Sequence, residues 1–280
     1  MMVLPYDDHS LLLVLQTDHS RVAGLLAAHW GNAEFAGLEP YGSMVLAAQE
    51  HDGGWWEWEI KPTLAPNGRP LDYQGGGKVL GKVWLDLYRH GVQRIAEQDA
   101  YAGYMVSMHG EGLLTRGLGL KPAMPDRSSD PGVPEFVEEQ RRHRQQVKPR
   151  LLAEAGELGS DDALWLNFKY IEVLDQMAQF ICNRYPFSST TRSNGPTPTL
   201  SGLPVPVCPG QPDTTLTIDV RDETHAMVEP YPFDVDPLVI TFPGRLVPNR
   251  AYEDQADFLR HYYHAEPVTI AYALHSCLPH

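Results

Sequence analysis

Apolar positions along the 280-residue chain change their spacing several times, and each change marks an element. Residues 11–16, LLLVLQ, are a short continuous apolar run, read as a buried strand or an extended lead-in. From His19 to Trp30 the apolar residues recur at helical spacing, after the cap signal Thr17-Asp18 and before the stop Gly31-Asn32. A second helix is predicted over residues 42–52, from Ser43 as N-cap to Gly53-Gly54 as stop. The aromatic, proline-bearing stretch 55–71 (WWEWEIKPTLAPNGRPL) reads as a loop. Helical spacing returns over 78–100, and a short helix follows over 101–109. Residues 117–134, rich in Gly, Pro, Ser and Asp, form a further loop. Two long helices are predicted over 134–156 and 161–184, the second opened by Ser160-Asp161-Asp162.

The pattern shifts at Tyr185-Pro186. Residues 186–212 hold many Pro, Ser, Thr and Gly and read as a connection. Beyond it, TTLTIDV, HAMVEPY, PLVITFPGRLV and PVTIAYAL have the β-branched, alternating character of strands. The expected fold is therefore mainly α with a C-terminal antiparallel β-rich portion, α+β overall. The expected division is a helical domain over 1–185 and a strand-rich portion over 186–280 packed on it.

Composition narrows the class of protein. With 42% apolar residues the chain can bury a core without disulfide staples. Cys182, Cys208 and Cys277 are widely spaced and form no CxxC pair, so a reducing, cytoplasmic setting is the simplest expectation. The run Leu11–Leu15 is too short for a signal sequence, and no stretch reaches the roughly 20 apolar residues of a membrane span. A formal net charge of −14 repels a phosphate backbone, which argues against nucleic acid as a partner. The one basic cluster, Arg141-Arg142-His143-Arg144, follows Glu138-Glu139 and reads as a solvated helix face.

Candidate chemistry comes from polar residues on apolar helix faces. Helical steps from His19 land on Val22, Ala23 and Leu26, and steps back from His51 land on Ala48, Ala47 and Met44. Asp175 shares its face with Phe168, Ile171, Ala178 and Ile181. A lone inward histidine is usually a hydrogen-bonded core residue, and an Asp there can pair with a buried Arg or Lys. An unpaired buried carboxylate, however, is costly enough to demand a partner, a proton or a cation. Asp52 follows His51 at a helix end broken by Gly53-Gly54, where both side chains can turn toward one point. Two imidazoles and two carboxylates suit Fe, Mn, Zn or Ni, one or two ions.

The order His19, then His51-Asp52, then Asp175 on a late helix resembles the HD-domain superfamily of metal-dependent phosphohydrolases. His51-Asp52-Gly53-Gly54 is similar to its HD-x-G turn, although Trp55 follows where many members carry Lys or His. That resemblance implies an HD-domain-like helical bundle with His19, His51, Asp52 and Asp175 on the first metal. Over most of its length the chain also resembles an uncharacterised bacterial group, domain-of-unknown-function family 3891, through QTDHSRVAGLLAAHWG, AAQEHDGGWWEWE, YAGYMVSMHGEGLL and VEPYPFDVDPLVITFPGRLVP. Superfamily members with two metals place further histidines between the HD pair and the last Asp. That interval holds His109, a candidate metal or catalytic residue, and His90. Trp55 could wall a substrate pocket, and Lys78, Arg116 and Lys169 could hold a substrate phosphate. No P-loop and no GxSxG elbow is present.

These readings lead to an expected metal-dependent hydrolase of a phosphate ester or related small molecule, with Asp52 and His109 as catalytic candidates. The alternatives are a di-iron oxygenase with the same ligands and a non-catalytic binding protein. The expected partner is a small-molecule substrate, not nucleic acid or membrane, with homo-oligomerisation open.

Overall fold

The computed structural model describes residues 1–184 and 199–277, without the side chains of residues 76–78 and 184. Strands β1 (Met2–Pro5) and β2 (Ser10–Val14) form an N-terminal hairpin in register Met2↔Val14. Leu11 to Val14 are buried without alternation, which is why this strand appears as a continuous apolar run. Helices follow: α1 (Gln16–Ala28), α2 (Tyr41–Glu50), α3 (Trp56–Glu59), α4 (Tyr73–Leu80), α5 (Lys82–Gln98), α6 (Ala100–Gly112), α7 (Val133–Ala155) and α8 (Asp161–Arg184). The described chain then continues with β3 (Thr199–Val205), β4 (Thr214–Val220), β5 (His225–Glu229), β6 (Leu238–Pro248), α9 (Gln255–His264) and β7 (Pro267–His275).

The fold is not the expected mainly α, HD-like bundle. The N-terminal hairpin joins the C-terminal strands in one curled seven-stranded sheet, ordered β1-β2-β6-β7-β5-β4-β3. Strand β2 pairs antiparallel with β6, Leu12 facing Leu246. The sheet is also mixed, because β5 runs parallel to β7. Local patterning identifies strands but says nothing about which distant strand closes an edge. Along β4 and β6 the alternation is clean: Leu216, Ile218 and Val220, and Leu238, Ile240 and Phe242, all point inward. Burying each such side chain is worth about 1.5–3 kcal/mol against the exposed chain. The inner face meets α1 and α8, so the sheet backs the two helices that carry His19 and Asp175.

Helix α6 is the centre of the helical layer. Every residue from Tyr101 to Gly112 is buried, and the helix touches α2, α5, α7 and α8. A helix buried on all sides has no solvent face to keep, and its polar residues Ser107, His109 and Glu111 are partnered inside. Gly103 lets it approach α5, where a Cβ would stand 2.5 Å from Ala96 Cα. The basic run on α7 is only partly the solvated face expected of it. Arg144 is buried, donates to Ser107 O at 2.9 Å and pairs with Glu111, which also accepts from Arg141.

Three local expectations change for physical reasons. Helix α1 is capped by neither Thr17 nor Asp18. Its first amides, Gln16 N at 2.6 Å and Thr17 N at 3.3 Å, donate to Glu59 from the aromatic stretch read as a loop, part of which is α3. The Met1 amine, 2.9 Å from Glu59, completes that cluster. Ser43 is not an N-cap either: α2 starts at Tyr41, and the Ser43 hydroxyl donates to Asp99 at 2.7 Å. Gly53-Gly54 opens a short 3-10 turn (Gly53–Trp55) rather than a left-handed stop.

Close backbone approach explains the second of those glycines. A Cβ on Gly54 would stand 1.9 Å from Leu87 O, whereas one on Gly53 would meet only the movable Glu50 carboxylate. Gly54→Ala is therefore expected to lose about 2–3 kcal/mol in urea unfolding, within the range of overpacking, and Gly53→Ala less than about 1. Equal losses would mean that contact with α5 is not what Gly54 serves.

Candidate metal centre

The buried stripes of α1 and α8 and the end of α2 meet at one point. His19 sits on α1 among Val22, Ala23 and Leu26, fully enclosed at 0% exposure. His51 closes α2 in helical geometry (φ −57°, ψ −32°), and the backbone then departs at Asp52 (φ −109°, ψ 16°). That change lets adjacent side chains converge instead of diverging by a helical step. Asp175 and Glu172, three residues apart, lie on one face of α8, and His109 projects from α6. All six residues are at most 3% exposed.

Donor atoms face each other without bonding each other. His19 Nε2 is 3.1 Å from Asp175 Oδ1, and His51 Nε2 is 3.4 Å from the same oxygen. Asp52 Oδ2 stands 3.7 Å from His19 Nδ1 and 3.9 Å from His51 Nε2. Both nitrogens of His19 and Nε2 of His51 are buried without a hydrogen-bond partner among the described residues. Ligands held about 2.1 Å from a shared ion stand roughly 3.0–3.5 Å apart. The His19 and His51 contacts to Asp175 have that spacing.

The surrounding groups orient these side chains. His51 Nδ1–H donates to Ala48 O at 2.8 Å, which leaves Nε2 as its free nitrogen. His109 Nδ1 donates to Glu172 Oε1 at 2.8 Å. Such outer hydrogen bonds fix tautomer and ring angle in metal-binding histidines. Asp52 accepts from Gln16 Nε2 at 3.1 Å and from Tyr88 Oη at 3.0 Å. Among the described residues, two groups of atoms could hold an ion: His19, His51 and Asp175, and His51, Asp52 and His109.

Charge around the cluster is heavily negative, and Lys121 answers part of it. Its Nζ lies 2.7 Å from Glu172 Oε2 and 3.7 Å from Asp175 Oδ2, with the side chain 13% exposed. Burial opposes ionisation of all three, but their mutual attraction wins. The Lys121 pKa is raised, that of Glu172 lowered, and that of Asp175, aided by His19 and His51, held well below the carboxylate range. Burial likewise opposes the charged form of His51, yet Asp175 and Asp52 raise its pKa to about 9. Burial, with Asp52 beside it, pushes Tyr88 well up and keeps its hydroxyl a donor.

Lys121 arrives on an unusual loop. Arg116, Gly117, Leu118 and Gly119 all have positive φ, of 57°, 62°, 52° and 99°. For the two non-glycines this backbone costs roughly 1–2 kcal/mol each. The loop turns back on itself through Lys121 N to Arg116 O at 2.9 Å. A Cβ on Gly117 would press on Lys121 Cγ at 3.1 Å.

His19, His51, Asp52, His109 and Asp175, all anticipated as ligands, are thus neighbours. Of the residues anticipated around a substrate, Trp55, Arg116 and Lys169 make other contacts. Trp55 is buried behind Asp52, its Nε1 donating to Tyr88 Oη at 3.0 Å. Arg116 is half-exposed and 3.9 Å from Asp126. Lys169 pairs with Asp213 and lines a separate cavity of about 1030 Å³ with Pro40, Trp165 and Tyr170. The Lys78 side chain lies outside the described residues. His90 is exposed and paired with Glu57 at 2.9 Å. Glu172 was missed although its three-residue step from Asp175 is a visible signal. Lys121 was missed because nothing local marks it.

The molecule is thus a mixed α+β protein built round a buried His/Asp cluster that could hold a metal ion. The chain belongs to the family described as a protein of unknown function, DUF3891, which matches residues 1–249. No match was found among curated proteins or solved structures. No described helix is long and apolar enough to cross a membrane.

Arg116→Gly tests whether residue 116 serves backbone shape. It is expected to leave thermal stability unchanged or raise it by up to about 1 kcal/mol, by removing left-handed strain. Gly117→Ala should lower stability by about 1 kcal/mol or more. A clear loss on Arg116→Gly would show instead that the Arg side chain matters to folding.

Proposed function

We propose that the protein is a metal-dependent hydrolase acting on a phosphate ester or related small molecule. The observation that carries this reading is the convergence of His19, His51 and Asp175 donor atoms that are buried, closely spaced and unbonded to one another. The His19 nitrogens and His51 Nε2 have no hydrogen-bond partner among the described residues, which is costly in an apolar core unless something binds them, whereas Asp175 Oδ1 also accepts from Gln179 Nε2 at 3.3 Å. Charge supports it too. Asp52, Glu172 and Asp175 are three buried carboxylates, of which Glu172 and Asp175 face the partly buried Lys121 ammonium.

His19, His51, Asp52 and Asp175 would hold the ion, in the same ligand order as the HD superfamily, though not on its bundle. The mixture of imidazole and carboxylate suits Fe, Mn, Zn or Ni. A divalent ion there supplies Lewis acidity, polarising a substrate oxygen and making nearby water more acidic. The chain's own groups do the rest. Tyr88 and Gln16 hold Asp52 at a fixed angle, Glu172 orients His109, and Lys121 offers a positive point to an anionic substrate oxygen. His109 is the candidate for moving a proton, since its Nδ1 is already committed to Glu172.

Metal analysis by mass spectrometry tests the reading. Wild type, purified after metal loading, is expected to retain a divalent ion and to gain thermal stability from it. The His51→Ala/Asp52→Ala double variant should lose it, and Glu172→Gln should weaken binding by about 10–100-fold. A loaded protein that hydrolyses p-nitrophenyl phosphate equally well without oxygen would favour hydrolysis over oxygenation. Folded wild type that holds no metal after loading would leave a non-catalytic binding protein as the better description.

A further inference from the structure

The two groups of atoms able to hold an ion share His51, and His51 has one free nitrogen. Its Nδ1 is committed to Ala48 O at 2.8 Å. One lone pair serves one ion. The two triads therefore outline the surroundings of a single metal, not two adjacent ones.

Asp175 nevertheless has the posture of a bridging carboxylate. Its Oδ1 faces His19 Nε2 and His51 Nε2, at 3.1 and 3.4 Å, while its Oδ2 faces the other way, toward Lys121 Nζ at 3.7 Å. Glu172 is shared in the same fashion, with Oε1 on His109 and Oε2 on Lys121 at 2.7 Å. The atoms around the Lys121 ammonium are thus two carboxylate oxygens from neighbouring turns of α8, one of them on a residue that also faces the metal triad. Two carboxylates placed in this way are what a second divalent cation takes in carboxylate-bridged sites.

Resting on the metal-centre reading above, we infer that Lys121 takes the place of a second metal ion, so that the centre holds one divalent ion beside one built-in ammonium. Its loop is shaped for that purpose. Four successive residues with positive φ, 116–119, turn the chain so that Lys121 reaches inward along α8, and the missing side chain of Gly117 leaves room for its stem. A lysine carries a single charge and no open coordination position, so it offsets part of the carboxylates' charge without competing for substrate as a ligand. In a hydrolase of this kind the substrate's anionic oxygen would meet the ion on one side and the ammonium on the other.

Counting ions tests this without requiring the substrate. Wild type loaded with Mn2+ is expected to hold one ion per chain with the spectrum of an isolated Mn2+ by electron paramagnetic resonance. Lys121→Met keeps the stem and removes the charge, and should admit a second ion and give an exchange-coupled spectrum. Lys121→Arg keeps the charge and should stay at one. Circular dichroism establishes that each variant is folded, with Lys121→Gln replacing the Met variant if that one is not. Two coupled ions in wild type, or a single ion in both uncharged variants, would overturn the inference and leave the metal-centre reading intact. No bound Mn2+ in wild type or variants would overturn both.

Discussion

Neutralising carboxylates inside an apolar core is the constraint on which this structure turns. Asp52, Glu172 and Asp175 are each at most 3% exposed, in a layer formed by helices whose other inward residues are largely aliphatic or aromatic. Ionised groups cannot stay there unless charge and hydrogen bonds replace the lost water. Part of that replacement is covalent to the chain: the Lys121 ammonium, the Tyr88 hydroxyl, the Gln16 amide and the ring nitrogens of three histidines. The buried His/Asp groups left beside them could hold a metal ion.

Each compensating group comes from a different part of the chain, and the architecture exists to hold them together. The sheet backs α1 and α8, fixing the separation of His19 from Asp175. Helix α6 threads the middle and presents His109 to Glu172. The turn after His51 is pressed against α5 at Gly54, where Tyr88 reaches Asp52 and Trp55 in turn holds Tyr88. Glu59 caps α1 and so helps set where Gln16 stands over Asp52. A change in any of these supports moves a ligand without touching it, which is how outer groups control a metal site.

The same dependence separates what could be read from the chain from what could not. Helical spacing was enough to turn His19, His51 and Asp175 inward, since a residue's face follows from its neighbours three and four positions away. It located most of the helices and the β4, β5, β6 and β7 segments for the same reason. It failed at caps, because Glu59 does from forty residues away what Thr17 and Asp18 do nothing to help with locally. Trp55, Arg116 and Lys169 pair with Tyr88, Asp126 and Asp213, partners that aromatic or basic character alone does not specify.

The sequence by itself therefore determined which polar residues must be buried, and that together they needed positive charge. Only the tertiary structure decided how that need is met: one mixed sheet instead of a helical bundle, Asp175 set between two histidines and a lysine, and Lys121 brought in on a left-handed loop. The reason is physical. Periodicity is a property of a few neighbouring residues, whereas the partner of a buried charge is chosen by whichever distant segments pack beside it.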